Sequence, residues 1–198
     1  MTLPRELRLD RDEQGYLLHS VPVAETEKLR KDRVSLEPGQ VKDRFREHAG
    51  PAIGEAYPLY EIDLTFEYDA NLSDESVPRE GIEFGIILES TGAEMVVAGF
   101  NTRTQKIHMG RLENSGKSDF SPLFPVNHLA PYSVSDPGEI RLHMFVDLSS
   151  IELFVDRGAL VLTEIVFPES GFDRIRPYAS HPSVKLKKGE IYSLNRIW

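Results

Sequence analysis

Cysteine is absent from the 198 residues, tryptophan occurs once, and no apolar run approaches the roughly 20 residues that a membrane-spanning helix needs. Without thiols there is no disulfide staple, no cysteine nucleophile and no thiolate metal site. The same absence leaves the compartment open, since disulfide-free proteins occur on both sides of a membrane. Basic residues are outnumbered, 23 against 32 acidic, for a formal charge of −9, and the two signs are interspersed. A phosphate backbone would require a clustered basic surface, so nucleic acid is excluded as a partner while a neutral ligand is compatible. The histidines His19, His48, His108, His128, His143 and His181 show no pair at metal-ligand spacing, and nothing calls for a metal or another cofactor. The start, MTLPRELRLDRDEQG, is charged from Arg5 onward and does not read as a secretory signal.

What the chain has in quantity is alternation. Between Ile140 and Pro168 apolar residues recur at every second position (Ile140, Leu142, Met144, Val146; Ile151, Leu153, Val155), the period of a strand. Polar and glycine positions at 147–150 and 156–158 predict reversals, so three antiparallel strands follow. Phe145, Phe154 and Phe167 fall on the opposite parity, which predicts a central place with both faces covered. Leu59–Tyr68 alternates most cleanly: Tyr60, Ile62, Leu64, Phe66 and Tyr68 face one way and Glu61, Asp63, Thr65 and Glu67 the other, predicting one buried and one wet face. Strands are also predicted at 81–90, 94–101, 106–112, 177–180, 183–187 and 191–197, the last two separated by a turn at Gly189, with a hairpin formed by 4–9 and 16–19. One amphipathic helix of about three turns is expected over Val21–Asp32, then a short strand at 34–36. The segments 37–58 and 114–137 read as long connections. The fold class is therefore all-β, a single domain over 1–198 made of two packed antiparallel sheets with one short helix near the N-terminus; a closed barrel is the competing arrangement.

Several stretches, MTLPREL at 1–7, FGIILEST at 84–91, GRLENSGKSDFSPLF at 110–124, FVDLSSIELFVDRGALVLTEIVFP at 145–168 and the terminal IYSLNRIW, resemble the C-terminal β-sandwich module of glycoside hydrolase family 32, which contains invertases, inulinases and levanases. The resemblance covers essentially the whole chain. It implies a concanavalin-like sandwich of the lectin and glucanase type that packs against a five-bladed catalytic propeller, and a parent that is bacterial and secreted, periplasmic or at the cell surface. It also implies that Met1 lies near the junction with that propeller. Retaining glycoside hydrolysis needs two carboxylates about 5 Å apart across the scissile bond. The family's propeller motifs for them, W-M-N-D-P-N, R-D-P and E-C-P, are missing: the one tryptophan is Trp198, there is no cysteine, and Asp136-Pro137 follows a serine. On its own the chain is expected not to be an enzyme.

Carbohydrate-binding candidates are Glu61, Glu83, Arg111, Tyr132 and Trp198. Glu61, Glu83 and Arg111, with Glu67, are planar polar groups of the kind that recognise sugars, and a solvated strand face competes with that reading. Tyr132, like Phe120 and Phe124, lies in the long 114–137 connection as a stacking surface or as a plug at the sandwich edge. Trp198 is a C-terminal anchor or a sugar platform. Glu152 reads as a structural carboxylate bonded to backbone or arginine. Three functions follow: an accessory module that stabilises the propeller, a module that binds fructan oligosaccharides as related family 66 carbohydrate-binding modules do, and a free-standing lectin-like protein. An exposed apolar patch and self-association through it are expected as well.

Overall fold

The computed structural model describes residues 2–12, 15–41, 59–70, 78–92, 94–111, 127–134, 136–168 and 171–196. Among them the period-two pattern is realised as β1 (Arg5–Asp12), β2 (Gly15–Pro22), β3 (Arg30–Leu36), β4 (Gly39–Gln40), β5 (Tyr60–Glu67), β6 (Glu83–Glu89), β7 (Met95–Asn101), β8 (Lys106–Arg111), β9 (Asn127–Pro131), β10 (Glu139–Val146), β11 (Ser150–Val155), β12 (Leu160–Ile165), β13 (Arg174–Ala179) and β14 (Lys185–Leu194). The larger sheet runs β12-β11-β10-β5-β14-β3, with β4 also on β14; the smaller runs β13-β6-β7-β8-β9; β1 and β2 form a separate hairpin. Neighbours pair antiparallel throughout.

The core lies between the two sheets. Tyr60, Ile62, Leu64 and Phe66 of β5, in register with Val146, Met144, Leu142 and Ile140 of β10, supply one layer. Phe84, Ile86, Leu88, Val96, Ala98, Phe100, Ile107 and Met109 of β6 to β8 supply the other. Each such side chain taken fully out of water contributes roughly 1.5–3 kcal/mol, which makes this two-layer core the main source of stability. At one edge Arg111, at the end of β8, donates to the Glu164 carboxylate and to the Ile165 carbonyl of β12, so a buried ion pair joins the two sheets.

Four sequence expectations change. The helix over 21–32 is a single 3-10 segment, Ala24–Leu29, because Arg30 onward is drawn into β3 by pairing with β14. The predicted turn at Gly189 lies inside one continuous strand, β14, where a Cβ would stand 2.9 Å from both Leu36 Cβ and Leu186 Cδ2. The 114–137 connection contains an edge strand, β9; residues 112–126, with Phe120 and Phe124, lie outside the described residues. The face of β5 expected to be wet is buried at Glu61, Asp63 and Thr65. Strand β5 is central, and the hairpin and the 3-10 segment stand over its outer face.

Candidate functional site

The outer face of the large sheet carries a layer of charge. Glu61 on β5 is held by both arms of Arg30 (Oε2–Nε and Oε1–Nη2, each 2.7 Å) and by His143 Nε2 at 2.8 Å. Its side chain is 1% exposed. Burial alone would raise its pKa, but the Arg30 fork and His143 outweigh burial and hold it at about 2. Arg141 grips Asp63 at 2.6 and 3.1 Å, and the Arg30 guanidinium stacks on Tyr192 at 4.3 Å. The β1–β2 hairpin is fastened over this layer at two points. At one, Glu152 accepts from Leu3 N at 2.6 Å and from Arg5. At the other, Ser20 N donates to Gly158 O at 2.9 Å. Hairpin and sheet together border a cavity of about 340 Å³.

One wall of that cavity is the β11–β12 turn, where Asp156 and Arg157 have φ of 42° and 57° and Gly158 has 78°. Consecutive left-handed residues are what a reversal matching strand twist demands, and arginine is an expensive choice there. Asp156 fixes the turn by accepting from Tyr132 Oη at 2.6 Å and Arg141 N at 2.7 Å. Further recesses lie elsewhere among the described residues. On the outer face of the small sheet, about 300 Å³ is lined by Glu83, Lys106, His108, Asn127 and Leu129. Tyr178 lies across Gly85 and Gly99 there and places its hydroxyl 3.1 Å from both Glu83 Oε1 and His108 Nε2. At one end of the sandwich, Leu3, Pro4, Leu29, Leu59, Phe145 and Leu148 line a largely apolar groove of about 370 Å³.

Residues 25–193 match the family described as Glycosyl hydrolases family 32 C terminal. The chain belongs to that family. It is 29% identical over 203 residues to a levanase of Bacillus subtilis (strain 168), the alignment taking in 100% of this chain and 27% of the levanase. To an extracellular exo-inulinase of Aspergillus awamori it is 27% identical over 136 residues, 68% of this chain and 25% of the inulinase. The chain thus spans about a quarter of the length of these relatives. The crystal structure of the Aspergillus awamori exo-inulinase superposes with a TM-score of 0.73 at 20% identity, over 100% of this chain and 36% of that one. Fructan 1-exohydrolase IIa from Cichorium intybus gives 0.71 at 20% identity, over 98% and 41%. At such identity these two structures speak for the fold.

In this family 32 module the residues singled out from sequence fall in different places. Glu61 borders the hairpin cavity, and Tyr132 supports that cavity's turn from the core side. Glu83 lies in the small-sheet recess, and Arg111 clamps the sandwich edge. Trp198 lies outside the described residues. Glu152 has the structural part read for it from the sequence. Sequence reasoning passed over Arg30, Arg141, Arg157, His108 and Tyr178. The available signals were a charged residue in a left-handed turn and paired mid-strand glycines, which mark close approach. Five of the six buried carboxylates among the described residues, Glu61, Asp63, Glu152, Glu164 and Glu190, sit on an arginine; the sixth, Glu94, accepts from the Ser90 hydroxyl.

Proposed function

We propose that this family 32 module is the non-catalytic β-sandwich of a glycosidase that hydrolyses fructans or sucrose, and that it stabilises the catalytic propeller by receiving it at the apolar end of the sandwich. The groove beside Thr2–Pro4 is the observation that carries this reading. It is concave and lined by leucines, proline and phenylalanine. An apolar recess of that kind is filled by another protein surface more favourably than by water. The names of the relatives, levanase and exo-inulinase, supply the substrate class, and the chain's coverage of about a quarter of their length leaves ample room for a separate catalytic domain. Glu61 and Asp63 point the same way: burial would raise both, yet both are held below the ordinary carboxylate value, with arginine partners. A general acid in glycoside hydrolysis needs a raised pKa, and arginine partners push in the opposite direction.

Two measurements test the proposal. Purified chain is expected to release no fructose from sucrose, inulin or levan. Mixed with a family 32 catalytic domain encoded in the same genome, it is expected to co-elute on size exclusion and to raise that domain's Tm. Fructose release by the chain alone, or two proteins that elute and melt independently, overturns it.

A further inference from the structure

The hairpin cavity has a composition that packing alone does not require. A two-stranded hairpin could cover a sheet by direct apolar contact, and replacing a buried ion-pair layer with well-packed apolar residues is often neutral or stabilising. Here the hairpin is fastened to the sheet at two points, and charged groups line a cavity that hairpin and sheet share. The guanidiniums of Arg8, Arg30 and Arg141 are each paired, with Glu6, Glu61 and Asp63. The fourth, Arg157, has no carboxylate within 4.0 Å among the described residues, while Glu27, a further carboxylate of the lining, lies 3.5 Å from Arg30. The lining is therefore close to neutral. Each fork uses two or three of its five N–H groups on its partner, and the remainder stay available as donors beside carboxylate oxygens with lone pairs to spare. Phe154, Val21 and Pro22 add an apolar wall.

Such a lining suits a neutral molecule that is donor and acceptor at every polar atom and has an apolar face: a polyhydroxylated ring. A volume of about 340 Å³ is at the small end of small-molecule sites, room for one or two rings. The turn supports this. Arg157 occupies the left-handed region that glycine adopts freely, at a cost to the fold, and it is one of the residues that line the cavity. We propose that the cavity between the β1–β2 hairpin and the large sheet binds the fructosyl end of a neutral carbohydrate, with the Arg157 guanidinium and the groups around Glu61 as its polar contacts. The choice of a fructosyl ring among neutral sugars rests on the function proposed above; the cavity and its neutrality do not.

Calorimetry of the whole chain with 1-kestose and with maltotriose tests the site, together with amide chemical shifts of residues 21–24 and 154–158. Saturable heat with 1-kestose in the millimolar range, none with maltotriose, and shifts confined to those two segments are expected. Arg157→Gly removes the guanidinium while relieving the left-handed strain, so its Tm should be no lower than that of the parent chain, and 1-kestose affinity should fall at least tenfold. Lys106→Gln, in the recess of the other sheet, should leave affinity unchanged. No heat or shift at tens of millimolar 1-kestose, equal binding of maltotriose, full affinity in Arg157→Gly, or loss of affinity in Lys106→Gln each overturns the site. A failure here with co-elution of the catalytic domain intact leaves the accessory function standing, whereas loss of co-elution with 1-kestose binding intact removes the docking and keeps the cavity.

Discussion

Glu61 concentrates the electrostatics of the large sheet in one side chain. Its carboxylate, at a pKa of about 2 in the folded chain against 4.5 as the ordinary value, is stabilised as the anion by Arg30 and His143. The folded value lies below the unfolded one, so the stabilisation is complete above about pH 4.5 and is lost as pH falls towards 2. A difference of that size corresponds to about 3 kcal/mol. Glu61→Gln keeps the shape and strands the Arg30 guanidinium. Urea unfolding at pH 7 should therefore show a loss of about 3–5 kcal/mol. That difference should shrink as pH drops from 4.5 to 2; a difference that stays constant over this window would remove the ion pair from the account. In the sequence Glu61 is one member of an alternating strand and reads as wet. Its partners stand 31 and 82 residues away, and nothing in the local pattern tells a solvated carboxylate from one met by an arginine of another strand. The same holds for Arg111, whose partner Glu164 is 53 residues on.

The strands that were legible are those whose apolar period is uninterrupted: β5, β10 and β11 were given by alternation alone, and so was the two-sheet sandwich. What was lost was decided by pairing rather than pattern. Residues 30–36 have only Val34 and Leu36 as inward apolar positions, yet β14 holds the whole segment extended; β9 carries no period but lies along β8. The hairpin was legible as a hairpin, and its docking was not, because one fastening joins backbone atoms of Ser20 and Gly158 and the other brings Glu152 to Leu3 and Arg5 from 149 and 147 residues away. A Cβ at Gly158 would stand 2.1 Å from Ser20 O, and its φ of 78° already favours glycine. Gly158→Ala should thus separate β2 from the β11–β12 turn. A two-stranded hairpin left alone is marginal in water. Trypsin cleavage at Arg5, Arg8 and Arg11 is expected to speed up at least tenfold, while the sandwich itself loses only about 1–2 kcal/mol from the strained turn. Unchanged cleavage would mean that the Glu152 fastening suffices to hold the hairpin.

Taken as a whole, the molecule presents two apolar surfaces that its own chain does not cover among the described residues. Leu7 and Leu9 of β1, with Leu18 and Tyr16 opposite Leu9 and Arg11, share one face of the hairpin and are 64%, 64%, 53% and 70% exposed. Leu148, at the groove, is 46% exposed. Against a net charge of −9, which keeps copies apart at low salt, contiguous apolar area of this kind favours association, and salt shifts the balance further by screening the charge. The isolated chain is therefore expected to self-associate. Sedimentation equilibrium should give a weight-average mass that rises above 22.4 kDa with concentration, more steeply at 0.5 M than at 0.05 M NaCl. Leu7→Lys with Leu9→Lys tests the hairpin face and Leu148→Asp the groove. Each change lies on the surface and should alter stability by no more than about 0.5 kcal/mol, so a drop in mass reports the interface rather than the fold. If the groove is the docking surface for a catalytic domain, Leu148→Asp should abolish co-elution with that domain, and adding the domain to the unaltered chain should dissolve any self-association that uses the groove. A chain that stays at 22.4 kDa under all these conditions would assign both apolar faces no partner of their own kind.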